Sequence, residues 1–430
     1  MHKNIGAFTT LFLAIAAAMA ASSASAGAVP GTQTQGAAQP AQDQSGVSNQ
    51  STAGADQADK PRSRTDATTL GTVVVTATRR SETLQKVPMA VSVVTYQDIQ
   101  RKHLQDFADY AADVPGFNVV SSQPGITELS IRGVASGSGQ PSASVGVYID
   151  DTPFGSSSVF AGGAALTPDI DPADLDRLEV LNGPQGTLYG AGALGGVVRF
   201  ITIAPDTQDF SGRVQVGGSS VSGGGTGFDV HGMVNLPLVK DKLAIRANVY
   251  DTTTPGFIDD AGLGKKDVNE SRVKGGRASL LWTPTDTTSL RVTAMAQNLS
   301  SDGAPSVALD PATLKPVYGD LQQRAAAGSG LFAAQYRLYN ATFNTDFGWA
   351  KLMSSSSYST LDSSSSQDVT SLLFLGPQAN GQPYGTLEQQ PVLQTKATQE
   401  FRLTSPTSET VEWLAGAFFT HETGKLAQDI

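Results

Sequence analysis

Apolar and polar residues alternate along much of the second half of the chain. In residues 243–249, Leu, Ile, Ala and Val occupy every second position, and the same alternation recurs in residues 289–297 and 411–419. A period of two is typical of a strand with one apolar and one polar face. The pattern predicts nine strands, centred near residues 215, 232, 246, 277, 292, 339, 354, 399 and 416.

The predicted connections between these strands alternate in length. After a short first connection at 219–226, tight turns are expected at 237–242, 284–287, 345–348 and 405–410, with long polar loops at 252–271, 298–331 and 362–394. A soluble sandwich has no reason to place its short turns at one end, whereas outer-membrane barrels have short periplasmic turns and long extracellular loops. Aromatic residues near the strand ends suit interfacial girdles, although they would also suit an ordinary core: Tyr250, Trp282, Phe343, Trp349, Trp413 and Phe419.

The pattern before residue 206 is different and predicts a small α+β domain at 81–205. One helix is expected at 97–111, ended by Pro115 and Gly116. Short strands are expected around it at 91–94, 129–132, 145–149, 178–181 and 196–202. The predicted fold class is therefore a small α+β domain followed by antiparallel transmembrane β-barrel strands.

The first 69 residues have the features of an export signal and a linker. A basic start, an apolar stretch at 7–20 and the small residues at 24–26 predict a signal peptide cleaved after Ala26, with a short buried helix as the alternative. Residues 27–69 have almost no large apolar side chains, so they cannot bury enough surface to offset their ordering entropy. We expect this stretch to be a disordered linker.

Composition excludes several classes of protein. Past the signal peptide, no stretch approaches the ~20 consecutive apolar residues of a spanning helix. The net charge of −10 argues against a nucleic-acid partner. The chain has no cysteine, so sheet hydrogen bonds and packing must hold it together.

A β-branched run follows the linker at 72–80, with the sequence TVVVTATRR. Its high strand propensity after a flexible segment suits β-augmentation, in which an extended segment pairs with a partner's sheet. The alternative is an edge strand of the following domain.

Several motifs occur in order along the chain. Residues 174–190 read DLDRLEVLNGPQGTLYG, residues 131–133 read IRG, residues 147–153 read VYIDDTP, and residues 399–406 read QEFRLTSP. Together with the run at 72–80 they resemble the TonB-dependent outer-membrane receptor family. The signature positions of its plug domain are matched by Gly133, Gly183, Pro184, Gly186, Tyr189, Gly190, Gly195 and Gly196. The TonB box is expected at residues 70–80, and the residues expected to contact TonB are Thr72, Val73, Val74, Val75, Thr76 and Ala77.

The resemblance implies energised import across the outer membrane, without enzyme activity or a cofactor. A scarce small ligand, most often a ferric siderophore and sometimes cobalamin or a glycan, would bind the extracellular loops and the plug apex. The box would then be released to pair with TonB, which is driven by ExbB–ExbD. Expected partners are thus TonB with ExbB–ExbD, outer-membrane lipid and the ligand.

Arg132 and Glu179 are the expected residues of the plug–barrel contact. Arg132 follows apolar Ile131, so we expect it to be partly buried and to need a carboxylate partner. The resemblance implies partners on the inner wall of the barrel; the alternative is a local pair with Glu128 or Glu179. The chain has Asn182 where the family usually has a second arginine, so the expected plug–barrel contact has one positive charge fewer.

The remaining motifs have ordinary interpretations. Residues 190–195 form a GxGxxG that precedes an apolar strand, whereas a dinucleotide site needs it before a helix. We expect these glycines to allow tight turns and close approach to the barrel wall. Asp169, Asp171, Asp174 and Asp176 fit no EF-hand spacing and suggest a solvated turn, and Asp150–Asp151 a turn cap. The four histidines are scattered, and no catalytic or metal-binding constellation is found.

Nine strands are fewer than the 22 of plugged outer-membrane transporters. We therefore expect the barrel to be incomplete and the 430-residue product not to transport alone. Two other classes are also considered. One is a non-energised barrel, a porin or an adhesin, which would show TonB-independent uptake. The other is a soluble plug-like binding module, which would be recovered in the soluble fraction.

Overall fold

The computed structural model describes residues 73–104, 107–123, 125–135, 144–157, 166, 168, 170–310, 312–370, 385–407 and 411–430. They all belong to one compact unit, Leu70–Ile430. The predictions for the signal peptide, the linker, Thr72 and Asp169 lie outside the described residues. Within the described residues no helix is both long and apolar enough to cross a membrane.

A nine-stranded antiparallel sheet contains all nine predicted strands in sequence order. Its strands are β10 (Ser211–Ser220), β11 (Thr226–Val239), β12 (Leu243–Thr254), β14 (Ser271–Thr285), β15 (Thr288–Ser301), β17 (Phe332–Asp346), β18 (Lys351–Asp368), β19 (Leu387–Thr404) and β20 (Leu414–Leu426). Strands β10 and β20 form its two edges. The tight turns lie at one end and the long loops at the other, as the connection lengths predict.

Some strand boundaries differ from the prediction. The ladder between β18 and β19 continues to the pair Asp368 and Leu387, so the loop predicted at 362–394 is shorter. The ends of β18 and β19 nearest this loop are rich in serine and glutamine. Their main chains still pair, but no apolar alternation in the sequence indicates a strand there. Val411 and Trp413, predicted to lie in the last strand, precede its first residue, Leu414.

The long loops are themselves connected. Strands β13 (Asp259–Asp260) and β16 (Gln322–Gln323) pair in parallel and join the loop after β12 to the loop after β15. The buried Asp260 carboxylate accepts from the backbone N–H groups of Gly262, Leu263 and Ala325 at 2.8–3.1 Å. Buried backbone donors need such acceptors, so this side chain fixes the two loops to each other.

The α+β domain contains a five-stranded mixed sheet formed by β3 (Val91–Thr95), β6 (Val145–Ile149), β7 (Thr152–Phe154), β8 (Leu175–Asn182) and β9 (Gly196–Thr202). Their order across the sheet is β3, β8, β9, β6, β7. Strands β4 (Phe117–Gln123) and β5 (Ile126–Ile131) form a separate hairpin, and β1 (Val74–Val75) pairs with β2 (Glu82–Thr83). The helices are α1 (Tyr96–Lys102), α2 (Phe107–Asp113) and α3 (Gly186–Tyr189).

The single helix predicted at 97–111 is wrong, because it is interrupted after Lys102. His103 adopts a left-handed conformation (φ 54°) and ends α1, and α2 begins at Phe107. A Thr95–Asp98 capping box starts α1. The apolar spacing is consistent across both helices and therefore did not reveal the break.

The domain packs against one face of the nine-stranded sheet, which we call the inner face. One buried apolar cluster is shared by the two parts: it includes Phe117, Leu129 and Phe154 of the domain and Leu299 and Tyr336 of the sheet. The rings of Phe154 and Tyr336 lie 5.9 Å apart. The core thus extends across the contact between the two sheets.

Candidate functional site

The segment of residues 73–80, called the box segment below, is docked in the α+β domain. The Leu84 N–H donates to the Val73 carbonyl at 2.9 Å, and Val74 lies opposite Thr83. Because hydrogen-bonding groups alternate along a strand, Val74 and Thr76 turn their N–H groups away from β2. The Thr76 N–H donates to Oε1 of Glu179 at 3.0 Å. A carboxylate therefore occupies the place that a neighbouring strand would take.

A buried charge cluster lies beneath this segment. Glu179 is fully buried, and its two oxygens accept from Nε of Arg177 at 2.8 Å and from Nη1 of Arg199 at 2.7 Å. Nη1 of Arg199 also donates to Oγ1 of Thr76 at 2.6 Å. Removing one member of a buried ion pair leaves an uncompensated charge, so the docked box segment depends on this cluster.

Arg79 closes the end of the box segment. Its guanidinium lies 4.0 Å from the ring centroid of Tyr189 and 4.9 Å from that of Tyr148, within cation–π range. The Tyr189 hydroxyl donates to the Ala77 carbonyl at 2.9 Å. Val75 and Ala77 are fully buried in a second apolar cluster, which also contains Tyr148 and Tyr189. The segment is therefore held by apolar burial, aromatic contacts and charge together.

The two arginines of the box segment reach towards the inner face. Arg79 pairs with Asp151 at 3.0 Å, and Arg402 of β19 approaches the same Asp151 oxygen at 3.4 Å. Arg80 pairs with Glu412 at 3.2 Å and donates to the Trp413 carbonyl at 2.5 Å. These contacts connect the box segment to the last tight turn of the sheet.

Asp151 is a shared carboxylate between three guanidinium groups. Burial alone would raise the pKa of Asp151, but Arg402, Arg79 and Arg199 outweigh burial and lower the pKa to about 2. Burial also raises the pKa of the neighbouring Tyr148 to about 12. Asp151 is therefore ionised at any ordinary pH, and both arginine contacts retain their partner.

The lowered pKa predicts how stability depends on pH. Because the folded pKa of about 2 lies below the ordinary aspartate value of about 3.9, the contribution of Asp151 is complete above pH 4. It is lost as pH falls towards 2. We expect the thermal midpoint of Asp151→Asn to lie below that of the wild type at pH 7, and the gap to close near pH 2. Circular dichroism melts of both proteins across this range measure it, and a gap independent of pH would contradict the assignment.

Two arginines of the inner face share one carboxylate of the domain, that of Asp174. Its carboxylate accepts from Nε of Arg246 on β12 at 2.8 Å and from Nε of Arg277 on β14 at 2.7 Å. The three side chains are at most 7% exposed. Arg277 also donates to the Ile203 carbonyl at 2.9 Å. Arg246 thus bonds one carboxylate oxygen and Arg277 the other, and such charge-assisted hydrogen bonds are roughly twice as strong as neutral ones.

Further acidic residues of the domain meet the same face. Asp171 accepts from the Asn248 amide at 2.8 Å and lies 2.9 Å from Nδ1 of His231. Asp150 lies 3.4 Å from Arg291, which donates to the Thr202 hydroxyl at 2.6 Å. The domain thus presents carboxylates, and the wall presents arginine, histidine and amide donors.

This polarity is the reverse of the prediction for Arg132 and Glu179. Arg132 lies at an exposed turn (φ 54°) and makes no ion pair among the described residues, so the expected burial against the wall is wrong. Glu179 is buried, but its ion pairs are with Arg177 and Arg199 of its own domain. The alternative local pairs of Arg132 with Glu128 or Glu179 are also absent from the described residues.

The acidic motifs also differ from their predicted roles. Asp171 and Asp174 are buried against the wall rather than solvated, while Asp176 is exposed as predicted. The turn cap predicted at Asp150–Asp151 is wrong: Asp150 accepts from the Thr202 N–H of β9 at 2.9 Å, and the adjacent Asp151 contacts the wall. Asn182 donates to the Ala90 carbonyl at 3.3 Å, within the domain.

The signature glycines are explained by turns and by contacts inside the domain rather than by the barrel wall. A Cβ on Gly196 (φ 152°) would lie 2.2 Å from the Leu181 carbonyl oxygen, so only glycine fits there. A Cβ on Gly195 would meet Val134 and Ser144, both in the same domain. Gly133, Gly183 and Gly190 have positive φ in turns. The GxGxxG leads into strand β9, as expected for a motif that is not a dinucleotide site.

The wall residues Arg246, Arg277, Arg291 and Arg402 were not recognised from the sequence as site residues. Each occupies a polar position of an alternating strand, and this is the signal that could have indicated them. In a barrel with a filled interior, a charged inward residue needs a partner. Among the described residues, no cluster of three or more His, Asp or Glu is placed to hold a metal.

Comparisons with known proteins agree with this arrangement. Residues 83–197 match the family model described as the TonB-dependent Receptor Plug Domain. The chain is 32% identical over 154 residues to the iron-regulated outer membrane virulence protein of Vibrio cholerae, covering 34% of this chain and 22% of that protein. It is 28% identical over 221 residues to the pesticin receptor of Yersinia pestis, covering 50% and 30%.

Solved structures share the fold. The ferric yersiniabactin uptake receptor of Yersinia pestis superposes with a TM-score of 0.63 at 19% identity, over 80% of this chain and 50% of that one. The ferripyoverdine receptor of Pseudomonas aeruginosa superposes with a TM-score of 0.65 at 21% identity, over 82% and 45%. The chain thus spans about half the length of these structures, and its alignments cover less than a third of the curated relatives.

Proposed function

The chain belongs to the TonB-dependent receptors of the bacterial outer membrane, and from that premise we propose that it acts in energised import of a scarce ligand. In this proposal the α+β domain is the plug, the nine strands are barrel strands, and the box segment is the part that TonB pulls. No step is enzymatic: the work is the reversible release of one strand from the plug.

The observation that carries this proposal is the manner in which the box segment is held. On its free edge, the Thr76 N–H donates to the Glu179 carboxylate rather than to a neighbouring strand. A partner strand can therefore replace one side chain and complete a β-pair without dismantling a sheet. Its pairing with β2 is only two residues long, so the strand ladder contributes little to the barrier to departure.

Contacts beyond the box support a link from the wall to the plug. Asp151 is shared by Arg79 of the box segment and Arg402 of β19. If Arg79 or Arg402 moves away from Asp151, the carboxylate loses one positive neighbour and attracts the remaining arginine differently. Binding of ligand among the long loops would act on the box through such plug–wall contacts, which is the coupling that the proposed function requires.

Main-chain pairing with TonB predicts a sharp effect of proline. Val74→Pro removes an N–H from the edge that faces away from β2, and no other residue can supply that donor. In a receptor in which this chain is part of a complete barrel, we expect the substitution to abolish uptake of radiolabelled iron while leaving surface binding intact. Val74→Ala keeps the N–H and should transport like the wild type. Unchanged uptake by the proline variant would refute the assignment of the box.

We propose a ferric siderophore as the ligand. Support comes from similar proteins whose names specify ferric yersiniabactin, ferripyoverdine and iron regulation. Vitamin B12 transporters are also among the relatives, at 29% identity over 196 residues for that of Photobacterium profundum. Equilibrium binding of radiolabelled ferric siderophores and of cobalamin to the purified chain separates the two classes, and saturable binding of cobalamin alone would reject the siderophore.

A further inference from the structure

The chain passes from the box segment into the rest of the plug through two residues that the wall holds. In the described contacts, the hydrogen bonds of residues 73–78 go to the plug or stay within the box segment. The Arg79 carbonyl then accepts from Nη1 of Arg402 on β19 at 3.4 Å, and the Arg80 side chain reaches the turn after β19. Strand β2 of the plug begins only at Glu82. A pull on the start of the box segment therefore reaches the wall before it reaches β2.

The Arg80 guanidinium is bonded to both sides of the tight turn between β19 and β20. Nη2 donates to the Trp413 carbonyl at 2.5 Å and to Oγ of Ser405 at 3.2 Å. Nη1 donates to the Ser405 carbonyl at 3.4 Å and to the Glu412 carboxylate at 3.2 Å. The side chain is only 11% exposed. A planar guanidinium carries several donors in a fixed geometry, so one side chain holds four acceptors at once.

The turn that receives Arg80 is itself firmly closed. The Ser405 N–H donates to the Trp413 carbonyl at 3.0 Å, and the Trp413 N–H donates to Oγ of Ser405 at 2.9 Å. The Trp413 ring lies 6.5 Å from that of Trp349, which lies 6.4 Å from that of Phe347 in the preceding tight turn. Aromatic girdles of this kind lie at the membrane interface of outer-membrane barrels. We call Arg80 with Ser405, Glu412 and Trp413 the wall anchor.

The box segment and the wall anchor resist a pull differently. Strands β1 and β2 share two residue pairs, whereas the β19–β20 ladder runs from Thr404–Leu414 to Val392–Leu426. The contacts of residues 73–78 lie one after another along the chain, so a pull from the start of the segment breaks them in turn. The four bonds of Arg80 are loaded together, and the strands that carry their acceptors are held by the longer ladder.

We propose that Arg80 is a positioning residue that stops a pull on the box segment at the wall, so that energised import proceeds in two steps. The first step frees residues 73–78 for pairing with a partner strand while the plug stays in place. The plug moves only after Arg80 leaves the turn. This inference rests on the proposed function and adds the residue that separates partner pairing from movement of the plug.

Pulling on single molecules of the purified full chain tests the stop. The native chain has no cysteine, so Val74→Cys and Asp286→Cys supply two defined handles. Val74 is 44% exposed in the docked box segment, and Asp286 lies in the exposed turn between β14 and β15 of the wall. In the parent we expect an intermediate after a gain of at most about 20 Å, because an extended chain spans about 3.3–3.6 Å per residue and the stop lies at Arg80.

Substitution of Arg80 should remove this intermediate. We expect Arg80→Ala to shorten its lifetime at constant force at least about tenfold, because four hydrogen bonds to the wall are lost. Arg80→Lys keeps the charge without the planar fork, so its lifetime should lie between those of the parent and Arg80→Ala. Arg101→Ala is the matched control, because Arg101 is exposed on α1 and pairs with Asp98 rather than with the wall. It should leave the lifetime unchanged.

These measurements need neither TonB nor a ligand, so they can fail while the transport proposal stands. Equal lifetimes in the parent, Arg80→Ala and Arg80→Lys would overturn the stop. A parent whose first step exceeds about 20 Å would also overturn it, because the plug would then move together with the box segment. The same holds for an equal shortening in Arg101→Ala. The lysine variant keeps the test decisive if the alanine variant does not fold.

Discussion

Asp174→Asn should weaken the attachment of the plug to the sheet by about 3–5 kcal/mol, the usual cost of removing one partner from a buried ion pair. The substitution leaves Arg246 and Arg277 facing each other in a site that excludes water, with no carboxylate between them. Like charges add repulsion to the lost hydrogen bonds. Among the described residues, no other plug carboxylate is shared by two buried arginines of the wall.

A urea titration with a local reporter measures this effect. Ala244 is fully buried on the inner face beside Arg246, so the thiol of Ala244→Cys should react only when the plug has left that face. We expect the midpoint of reactivity to fall markedly in Asp174→Asn. Asp176→Asn is the matched control. The Asp176 carboxylate is about half exposed, so this substitution should change the free energy of plug detachment by less than about 1 kcal/mol. Similar midpoints for the two variants would show that Asp174 does not anchor the plug.

Glu179→Ala should release the box segment. The Thr76 N–H loses a charged acceptor, a bond worth about 1.5–3 kcal/mol, so the open population should rise at least about tenfold. Arg177 and Arg199 also lose their common partner. Limited digestion with trypsin detects the change, because cleavage after Arg79 and Arg80 requires the segment to leave its site and its rate follows the open population.

Two controls separate release from general unfolding. Glu82→Ala removes a half-exposed carboxylate that accepts only from the Thr78 hydroxyl, at 2.9 Å, in the described contacts, and should cleave at nearly the parent rate. Cleavage after Arg101, on the exposed face of α1, reports unfolding of the plug. Faster cleavage at Arg101 to the same extent as at Arg79 would mean that Glu179 supports the plug as a whole rather than the box segment.

The sheet could be predicted from the sequence, whereas the contacts across it could not. Alternation in residues such as 243–249 is imposed by a wall with two different faces, so it identifies each strand directly. The end of β18 was missed because its serines carry no apolar pattern. The break at His103 was missed because apolar residues recur at a spacing of three to four on both sides of it.

The polarity of the plug–wall contacts is a three-dimensional property. Arg132 was expected to contact the wall because its motif resembles one in the family, and the acidic residues after it were interpreted as a solvated turn. Asp171 and Asp174 are buried because the segment between them lies directly against β11, β12 and β14. Nothing in the local spacing of aspartates distinguishes a solvated turn from one covered by a wall of arginines.

The central claim is that the box segment must leave the plug before it can pair with TonB. Val74 and Thr83 are opposite each other on β1 and β2, and a non-hydrogen-bonded antiparallel pair of this kind has a Cα separation of about 4.5 Å, which a disulfide can bridge. In this cysteine-free chain, Val74→Cys with Thr83→Cys gives one defined bond. The most direct measurement is surface plasmon resonance of this variant against the periplasmic domain of TonB. We predict binding after reduction and none in the oxidised protein; equal binding in both states would contradict the account.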